Sequence, residues 1–382
     1  MIYRIADWLE THWVAPAYAG CVLIAFSLSF FGAAINTMSG WLYVISGVSF
    51  ALIAIAAILP VRSLKGIRIK RLPIQPVSVG DQITVELDIE NQSSEPKTLL
   101  QFQDMIPFVL GQPVQGAIES IPPLESYHWI YYHPAQQRGI YRWHTLQLRT
   151  ATPLGLFWCR RHRDISATAI VYPTVLPLTI CPLIDEIGEE DSPKFFSRDR
   201  RSKAANENIT RSLRPYRWGD PIRLVHWRTS ARYGELRIRE LEVFTGGQEV
   251  IICLDSASVW RTEDFEQAVI AAASLYFYAC RAQLNAKFWT SGSGLLHGNS
   301  VVLEALASVN PQEEPGNSGP PDAPLIWLTQ NTLAINTLPV GSRWLLWPST
   351  SASNQKNSIN PQLRGSIIQP EQPLQSQLQA TF

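Results

Sequence analysis

The chain has 382 residues, which is long enough for about two or three domains. Its formal net charge is +0, which excludes a global field that would steer the protein toward nucleic acid or acidic substrates. Hydrophobic residues make up 46 % of the chain and charged residues only 17 %, and this apolar composition indicates membrane segments.

Two apolar stretches without charged residues, 15–35 and 41–59, come first in the chain. Each suffices to cross a bilayer core, which takes about 20 residues, so residues 1–62 are predicted to form a two-helix membrane anchor. Aromatic side chains suited to the membrane interfaces flank both stretches: Trp8, Trp13, Tyr18, Trp41 and Tyr43. A buried hairpin of a soluble protein is the alternative. A cleaved signal peptide fits poorly, because a basic amino-terminal region is missing and a second span follows at once.

A basic segment follows the second stretch and contains Arg62, Lys65, Arg68, Lys70 and Arg71. By the positive-inside rule this segment faces the cytoplasm, and two spans return the chain to its starting side. We therefore predict a multi-pass protein of the cell membrane with two spans and the bulk of the chain in the cytoplasm. An ordinary solvated linker would have the same basic residues.

Residues 63–176 alternate apolar and polar side chains in short runs, for example 83–89 and 141–148. Turn-forming clusters separate these runs. Period-two alternation at this spacing predicts an antiparallel β-sandwich or small barrel. Residues 177–209 are polar and lack periodicity, so we predict a linker there.

A helix is predicted between Asp220, an N-cap that precedes Pro221, and Gly234, which suits a left-handed stop. At about 100° per residue, Leu224 and Trp227 lie on one apolar stripe and Val225 on a second, nearly opposite one. A helix with two apolar stripes is expected to be wedged between two surfaces.

The same segment contains a long signature, whose residues are Arg214, Tyr216, Gly219, Asp220, Arg223, His226, Trp227, Ser230, Ala231, Arg232, Gly234 and Leu236. It resembles the family called "domain of unknown function 58". The resemblance implies a membrane-anchored protein, often encoded beside a MoxR-type AAA+ ATPase, in which the signature leads into a domain similar to von Willebrand factor A. We expect the signature residues to contact a protein partner.

Three shorter patterns upstream also resemble this family. They are Arg138-Gly139-x-Tyr141, Thr152-Pro153-Leu154-Gly155-Leu156-Phe157 and Val171-Tyr172-Pro173. The family pattern places Asp before the first of these prolines, where this chain has Thr152. We interpret that change as local turn chemistry.

Strand and helix patterns alternate after the signature. Strands are predicted at 250–254, 286–291, 325–328 and 344–347, and helices at 262–285 and 300–309. This order predicts that residues 210–348 contain the signature helix and a small doubly wound α/β domain. Residues 349–382 are rich in Ser, Asn, Gln and Pro, which predicts a disordered tail. The fold class is therefore multidomain: a transmembrane helical hairpin, a β-sandwich and an α/β domain similar to von Willebrand factor A.

Asp255 follows the first strand of the α/β domain, at the edge where such sheets bind ligands. In von Willebrand A domains this position opens an Asp-x-Ser-x-Ser motif that binds a divalent cation. Here Ser256 and Ser258 are one place out of register, and Ala257 and Val259 occupy the ligand positions. We predict a degraded metal site and no cofactor. The alternative is a site completed by Ser256 or Ser258 after a rearrangement of the loop, which would bind a divalent cation such as Mg²⁺.

His226, with Ser230 one turn on and Asp220 nearby, suggests general-base chemistry and hence a hydrolase as the alternative function. Three catalytic groups on one helix do not easily converge on one substrate, so a structural or partner-binding histidine is favoured. The arginines from 198 to 239 alternate with aromatic residues, as in single-strand binders. Nearby carboxylates favour internal ion pairs instead, and no nucleic acid is expected.

These patterns together predict a membrane-anchored adapter rather than an enzyme. Its predicted partners are the lipid bilayer and a protein, with a MoxR-like AAA+ ATPase implied by the resemblance. The five cysteines are scattered without a Cys-x-x-Cys pair, which fits a reducing compartment.

Overall fold

The computed structural model describes residues 2–185, 210–215, 230, 237–241, 249–316, 319–348 and 363–380. The chain divides into two compact units, Met1–Pro173 and Thr174–Phe382. The helical and strand elements of each unit are given in turn.

Three helices precede the first sheet: α1 (Ile2–His12), α2 (Tyr18–Thr37) and α3 (Gly40–Ser63). Helices α2 and α3 are long and apolar enough to cross a membrane, which confirms the predicted pair of apolar helices. They pack on each other, and Ser27, Ala34, Ser46 and Ala56 are buried while large apolar side chains point outward. Small residues at the contact allow two helices to approach closely, as they do in membrane hairpins.

Nine strands complete the first unit. They are β1 (Ala15–Pro16), β2 (Ile67–Arg71), β3 (Val77–Ser78), β4 (Gln82–Asn91), β5 (Lys97–Asp104), β6 (Val114–Ile121), β7 (Ser126–Pro134), β8 (Gly139–Thr150) and β9 (Phe157–Tyr172). One sheet has the order β2-β4-β7, and the other has the order β1-β9-β8-β5-β6 with β3 parallel to β9. The predicted antiparallel strands of 63–176 are thereby confirmed. The alternation of β4 places Ile83, Val85, Leu87 and Ile89 in the core.

A buried ion pair lies inside this unit. Arg71 Nη1 lies 2.9 Å from Asp104 Oδ2, and both side chains are almost fully buried. Tyr131 donates a hydrogen bond to the same carboxylate at 2.7 Å, and Trp143 Nε1 donates another at 3.0 Å. Burial, together with the Asp104 charge, raises the pKa of Tyr131, so the phenol keeps its proton and remains a donor. The basic segment that follows the second apolar stretch includes Arg71. In the structure its charge is neutralised by Asp104 inside the protein.

Charged side chains connect helix α1 to β8 and β9. Glu10 bonds to Arg149 and, at 3.2 Å, to Arg160. Arg161 donates to the carbonyls of Thr11 at 2.7 Å and Trp13 at 3.1 Å, where the helix ends and its carbonyls lack partners. The chain before the first apolar helix is therefore part of the folded unit.

The second unit is built around one mixed sheet. Its elements are α4 (Pro182–Asp185), β10 (Thr210–Pro215), β11 (Arg237–Leu241), β12 (Glu249–Leu254), α5 (Thr262–Arg281), β13 (Asn285–Thr290), β14 (Gly294–Leu296), α6 (Asn299–Ser308), β15 (Leu325–Thr329), α7 (Thr332–Ile335), β16 (Arg343–Leu346), β17 (Arg364–Ile367) and α8 (Leu374–Gln379). The sheet order is β14-β13-β12-β15-β16-β17, and every neighbouring pair is parallel except β13 with β14. All four predicted strands and both predicted helices are present, within a few residues of their expected ends.

The prediction of a disordered tail at 349–382 is wrong for residues 363–380. Strand β17 pairs with β16 and extends the sheet, and Leu378 of α8 is buried in the core beside Ile368. The polar composition of this segment did not predict the strand or the helix. Backbone pairing does not depend on side-chain polarity, and two apolar residues suffice to dock a short helix.

The predicted linker at 177–209 is also wrong at its start. Leu178, Cys181, Leu183 and Ile184 are buried in the core of the α/β unit. Burial raises the pKa of the Cys181 thiol to about 12, as expected for a cysteine enclosed by apolar side chains. These apolar residues lack helical or strand periodicity, so the sequence pattern does not separate them from a loop.

Two neighbouring residues of β2 test the buried ion pair. Arg71→Ala leaves Asp104 as a buried carboxylate without its cation, and we expect it to lower the free energy of unfolding by about 3–5 kcal/mol. Lys70→Ala removes an exposed partner of Glu90 and should cost less than about 1 kcal/mol. Urea unfolding of the full chain in mild detergent measures both changes. Equal effects of the two substitutions would contradict the assigned role of Arg71.

Candidate functional site

The candidate site lies at the carboxyl-terminal edge of the α/β sheet, between β12 and β15. In the sheet, β13 and β14 lie on one side of β12, and β15, β16 and β17, which come later in the chain, lie on the other side. The loop after β12 leads to α5 and the loop after β15 leads to α7, and these helices pack on opposite faces of the sheet. Open α/β sheets bind ligands between loops that diverge in this way, and we call this position the crevice.

Asp255, the first residue after β12, is held from three directions. The hydroxyls of Ser258 and Thr329 each donate to its Oδ2 at 2.6 Å, and Trp260 Nε1 donates to its backbone carbonyl at 2.6 Å. The residue is only 7 % exposed. One carboxylate oxygen thus already accepts two short, charge-assisted hydrogen bonds, which fix the carboxylate toward the protein.

Ser256 and Ser291 join the loops that follow β12 and β13. The Ser256 hydroxyl accepts from the Ser291 backbone N–H at 3.1 Å, and the Ser291 hydroxyl accepts from the Ala257 N–H at 3.3 Å. Both serines of the predicted degraded motif therefore bond internally, Ser256 to a neighbouring loop and Ser258 to Asp255. Within the described residues, no group of three or more His, Cys, Asp or Glu side chains could hold a metal ion.

Gln330 connects the two loops that border the crevice. Its Oε1 accepts from the Arg261 backbone N–H at 3.0 Å, and its Nε2 donates to Asp264 at 2.8 Å. Two large apolar side chains in the segments that follow β12 and β15 are exposed to solvent: Val259, in the loop after β12, is 73 % exposed, and Leu333, in α7, is 76 % exposed. The edge thus combines internally bonded polar groups with exposed apolar ones.

Most of the signature residues lie outside the described residues. These are Tyr216, Gly219, Asp220, Arg223, His226, Trp227, Ala231, Arg232, Gly234 and Leu236. Arg214 belongs to β10, where it pairs with Ile238 of β11, and Ser230 is helical and buried. The proposed His226 and Asp220 chemistry, and the two-striped helix that bears it, therefore remain predictions.

Sequence reasoning missed three residues of this site, Ser291, Thr329 and Gln330. Thr329 and Gln330 directly follow a predicted buried strand that runs parallel to β12, so strand order alone would have placed them at the edge of Asp255. The missing information was which strands are neighbours, since β12 and β15 are separated by two strands and two helices in sequence.

Residues 212–292 match the family model described as "Protein of unknown function DUF58", which confirms the predicted family resemblance. The matched segment includes β12, Asp255 and α5. An uncharacterized protein from Bacillus subtilis (strain 168), YeaD, is 23 % identical over 241 residues, or 62 % of this chain. The chain spans 58 % of the length of that relative.

Solved structures with local similarity include the CARDB domain of a Pyrococcus furiosus protein, bound to di-metal ions. It is 13 % identical, covers 27 % of this chain and 93 % of its own, and has a TM-score of 0.19. A β-glucosidase from Listeria innocua in complex with glucose is 14 % identical, over 26 % of this chain and 16 % of its own, with a TM-score of 0.16. At these TM-scores the similarities support no inference about function.

The two hydrogen bonds to Asp255 Oδ2 give a prediction for metal binding. Because two hydroxyls already occupy Oδ2, we expect the same melting temperature for the full chain in detergent with millimolar Mg²⁺ or with a chelator. A site filled at a hundredfold excess over its Kd would add about 2.7 kcal/mol, which a thermal scan detects easily. A Mg²⁺-dependent rise that disappears in Asp255→Ala would show that the site is intact.

Proposed function

We propose that this protein is a membrane-anchored adapter that presents its α/β unit to a protein partner. Helices α2 and α3 are the anchor. Their outward side chains, among them Phe26, Val44 and Ile55, are large, apolar and exposed to solvent in the isolated chain. An apolar surface of this extent is covered by lipid or by another protein, and the length of both helices suits a bilayer core.

The observation that supports the adapter function is the composition of the crevice edge. The polar groups that could perform chemistry there, Asp255, Ser256 and Ser258, are engaged in internal hydrogen bonds. The groups that face solvent are the apolar Val259 and Leu333. Exposed apolar side chains with a polar surround are typical of protein contacts, so this edge suits a partner surface better than a catalytic centre.

The strand order supports the domain type that the resemblance implies. Numbering β12, β13, β14, β15, β16 and β17 as strands 1 to 6 gives the order 3-2-1-4-5-6, which is the doubly wound arrangement. We propose a domain similar to von Willebrand factor A in which partner binding uses side chains rather than a bridging metal. The proposed partner class is a MoxR-type AAA+ ATPase, and the proposed process is assembly or maturation of other proteins.

A paired substitution at the crevice edge tests the partner surface. Val259→Glu with Leu333→Glu places two carboxylates where apolar contact is proposed. We expect Kd for the purified MoxR-type ATPase of the same organism to rise at least about tenfold, equivalent to about 1.4 kcal/mol. Binding is measured on the full chain in mild detergent.

Val340→Glu is the matched control. Val340 is 88 % exposed and precedes β16, so it lies at the opposite, amino-terminal edge of the same sheet. We expect this variant to bind the ATPase as the unaltered chain does. Equal weakening by the control, or unchanged binding by the paired variant, would contradict the assigned surface.

Membrane orientation has a separate test. The proposed cytoplasmic location follows from Arg62 and Lys65 at the end of α3. Alkaline phosphatase, which is active only outside the cytoplasm, should be inactive when fused after Phe382 and active when fused after Ser39, between the two spans. The reverse pattern of activities would invert the orientation.

A further inference from the structure

The hairpin of α2 and α3 joins the first unit at one end of its two sheets. This end is marked by the last paired residues of neighbouring strands, which are Ile67 with Asn91, Lys97 with Ile121, and Thr150 with Cys159. Three loops meet there: residues 92–96, 122–125 and 151–156. We call them the hairpin-side loops.

The hairpin is fixed directly to the loop 151–156. The Ala17 N–H donates to the Leu156 carbonyl at 2.9 Å, and a Cβ on Gly20 would lie only 2.1 Å from that oxygen. On the other helix, Ser63 Oγ lies 3.2 Å from Thr152 Oγ1. Because α2 passes this loop within its first turn, the loop lies level with the start of the apolar helix.

The contacts of Ala17, Gly20 and Ser63 with the loop 151–156 form a joint between the hairpin and the sheets. A series of hydrogen-bonded hydroxyl groups extends this joint to β5. Thr152 Oγ1 lies 2.9 Å from Thr150 Oγ1, and Thr150 Oγ1 donates to the Leu99 carbonyl at 3.2 Å. Since each hydroxyl has one proton, Thr152 donates to Thr150 and Ser63 donates to Thr152. The end of α3 is thus bonded in sequence to the backbone at Leu99.

Asn91 ties the other two hairpin-side loops together. Its buried Nδ2 lies 2.9, 3.2 and 3.0 Å from the carbonyl oxygens of Glu95, Ile121 and Pro122, which share its two N–H hydrogens. The Gln92 N–H donates to the Gly66 carbonyl at 2.8 Å, just after α3 ends. All three loops are therefore held as one surface around the base of the hairpin.

Three exposed leucines lie at this end of the unit: Leu124 (79 % exposed) and Leu154 (45 % exposed) in the hairpin-side loops, and Leu99 (64 % exposed) near the start of β5. Leu99 and Leu124 have φ of 48° and 60°, in the left-handed region that a bulky side chain rarely occupies. Backbone strain at an exposed leucine contributes nothing to the core, and such strain is concentrated at functional positions. Trp13 and Tyr18, also exposed, lie beside the same joint.

We propose that the hairpin-side loops rest in the membrane interface, with Leu99, Leu124 and Leu154 inserted at the boundary between headgroups and acyl chains. This rests on the proposed membrane anchor, because the rigid joint determines which end of the unit meets the bilayer. The occupant is lipid, since the loop that contains Leu154 is hydrogen-bonded to both helices of the anchor. Lys65, Glu95 and Glu125 give this end charges of both signs, so insertion of the leucines rather than attraction to anionic lipid makes the contact.

Spin-label depth measurements on the full chain in phosphatidylcholine vesicles test this proposal. Cys21 and Cys280 are replaced by serine, while Cys159, Cys181 and Cys253 are buried and do not need replacement. Single cysteines are then introduced by Leu99→Cys, Leu124→Cys and Leu154→Cys and labelled with a nitroxide. The accessibility of each label to oxygen, which partitions into lipid, is compared with its accessibility to a water-soluble nickel chelate.

Two reference positions make the result decisive. Phe108→Cys lies in the β5–β6 loop at the opposite end of the unit, where Phe108 is 95 % exposed, and Val48→Cys lies within α3. We expect an oxygen-to-nickel ratio several-fold higher at the three leucine positions than at 108. Leucine positions as nickel-accessible as 108, with 48 in lipid, would overturn the proposal while the anchor stands. A nickel-accessible label at 48 would overturn the anchor itself. Each labelled protein should keep the melting temperature of its parent, which excludes unfolding as the cause.

Discussion

The approach of α2 to the Leu156 carbonyl at Gly20 is the contact on which the arrangement of the first unit depends. No residue with a Cβ fits there, because that atom would lie 2.1 Å from the oxygen. Individual hydrogen bonds at the joint contribute only about 1 kcal/mol each, so none of them alone would fix a long helical hairpin. The steric fit at Gly20, the pairing of β1 with β9 and the hydroxyl chain from Ser63 to Leu99 act together on a few residues. This joint determines where the strands end relative to the apolar helices.

In the α/β unit the main constraint is that buried polar groups at the edge of the sheet need hydrogen-bond partners. A buried carboxylate without partners costs several kcal/mol, and Asp255 avoids this cost through Ser258 and Thr329. The same bonds that stabilise the loops also remove these groups from contact with a ligand. Ser258 bonds to the Asp255 carboxylate and Ser256 bonds to the loop after β13, so both hydroxyls stabilise loops. In the proposed adapter function, the exposed apolar side chains of Val259 and Leu333 are the groups that recognise a partner.

The sequence patterns predicted most of the helices and strands, but they did not predict which of these elements contact each other. The apolar helices, the alternating strands and the α/β order follow from local periodicity, which reports which side of an element is buried. Arg71 shows the limit: its place in a basic run suggested a membrane flank, whereas its pairing with Asp104 depends on a contact 33 residues away. Thr329 and Asp255 are 74 residues apart, so their hydrogen bond could not be inferred without the strand order. Strand β17 was missed because a parallel edge strand needs only backbone groups to join a sheet.

The departure of this chain from the family pattern at Thr152 gains a physical meaning at the joint. Thr152 is only 5 % exposed, and its hydroxyl lies between Thr150 and Ser63. A hydroxyl can accept from one neighbour and donate to the other, so a neutral chain of hydrogen bonds satisfies all three side chains. An aspartate at this position would accept only, and it would bring a charge close to the proposed membrane boundary, where desolvation is costly. The Thr152 hydroxyl is therefore part of the contact that holds the hairpin to the sheets.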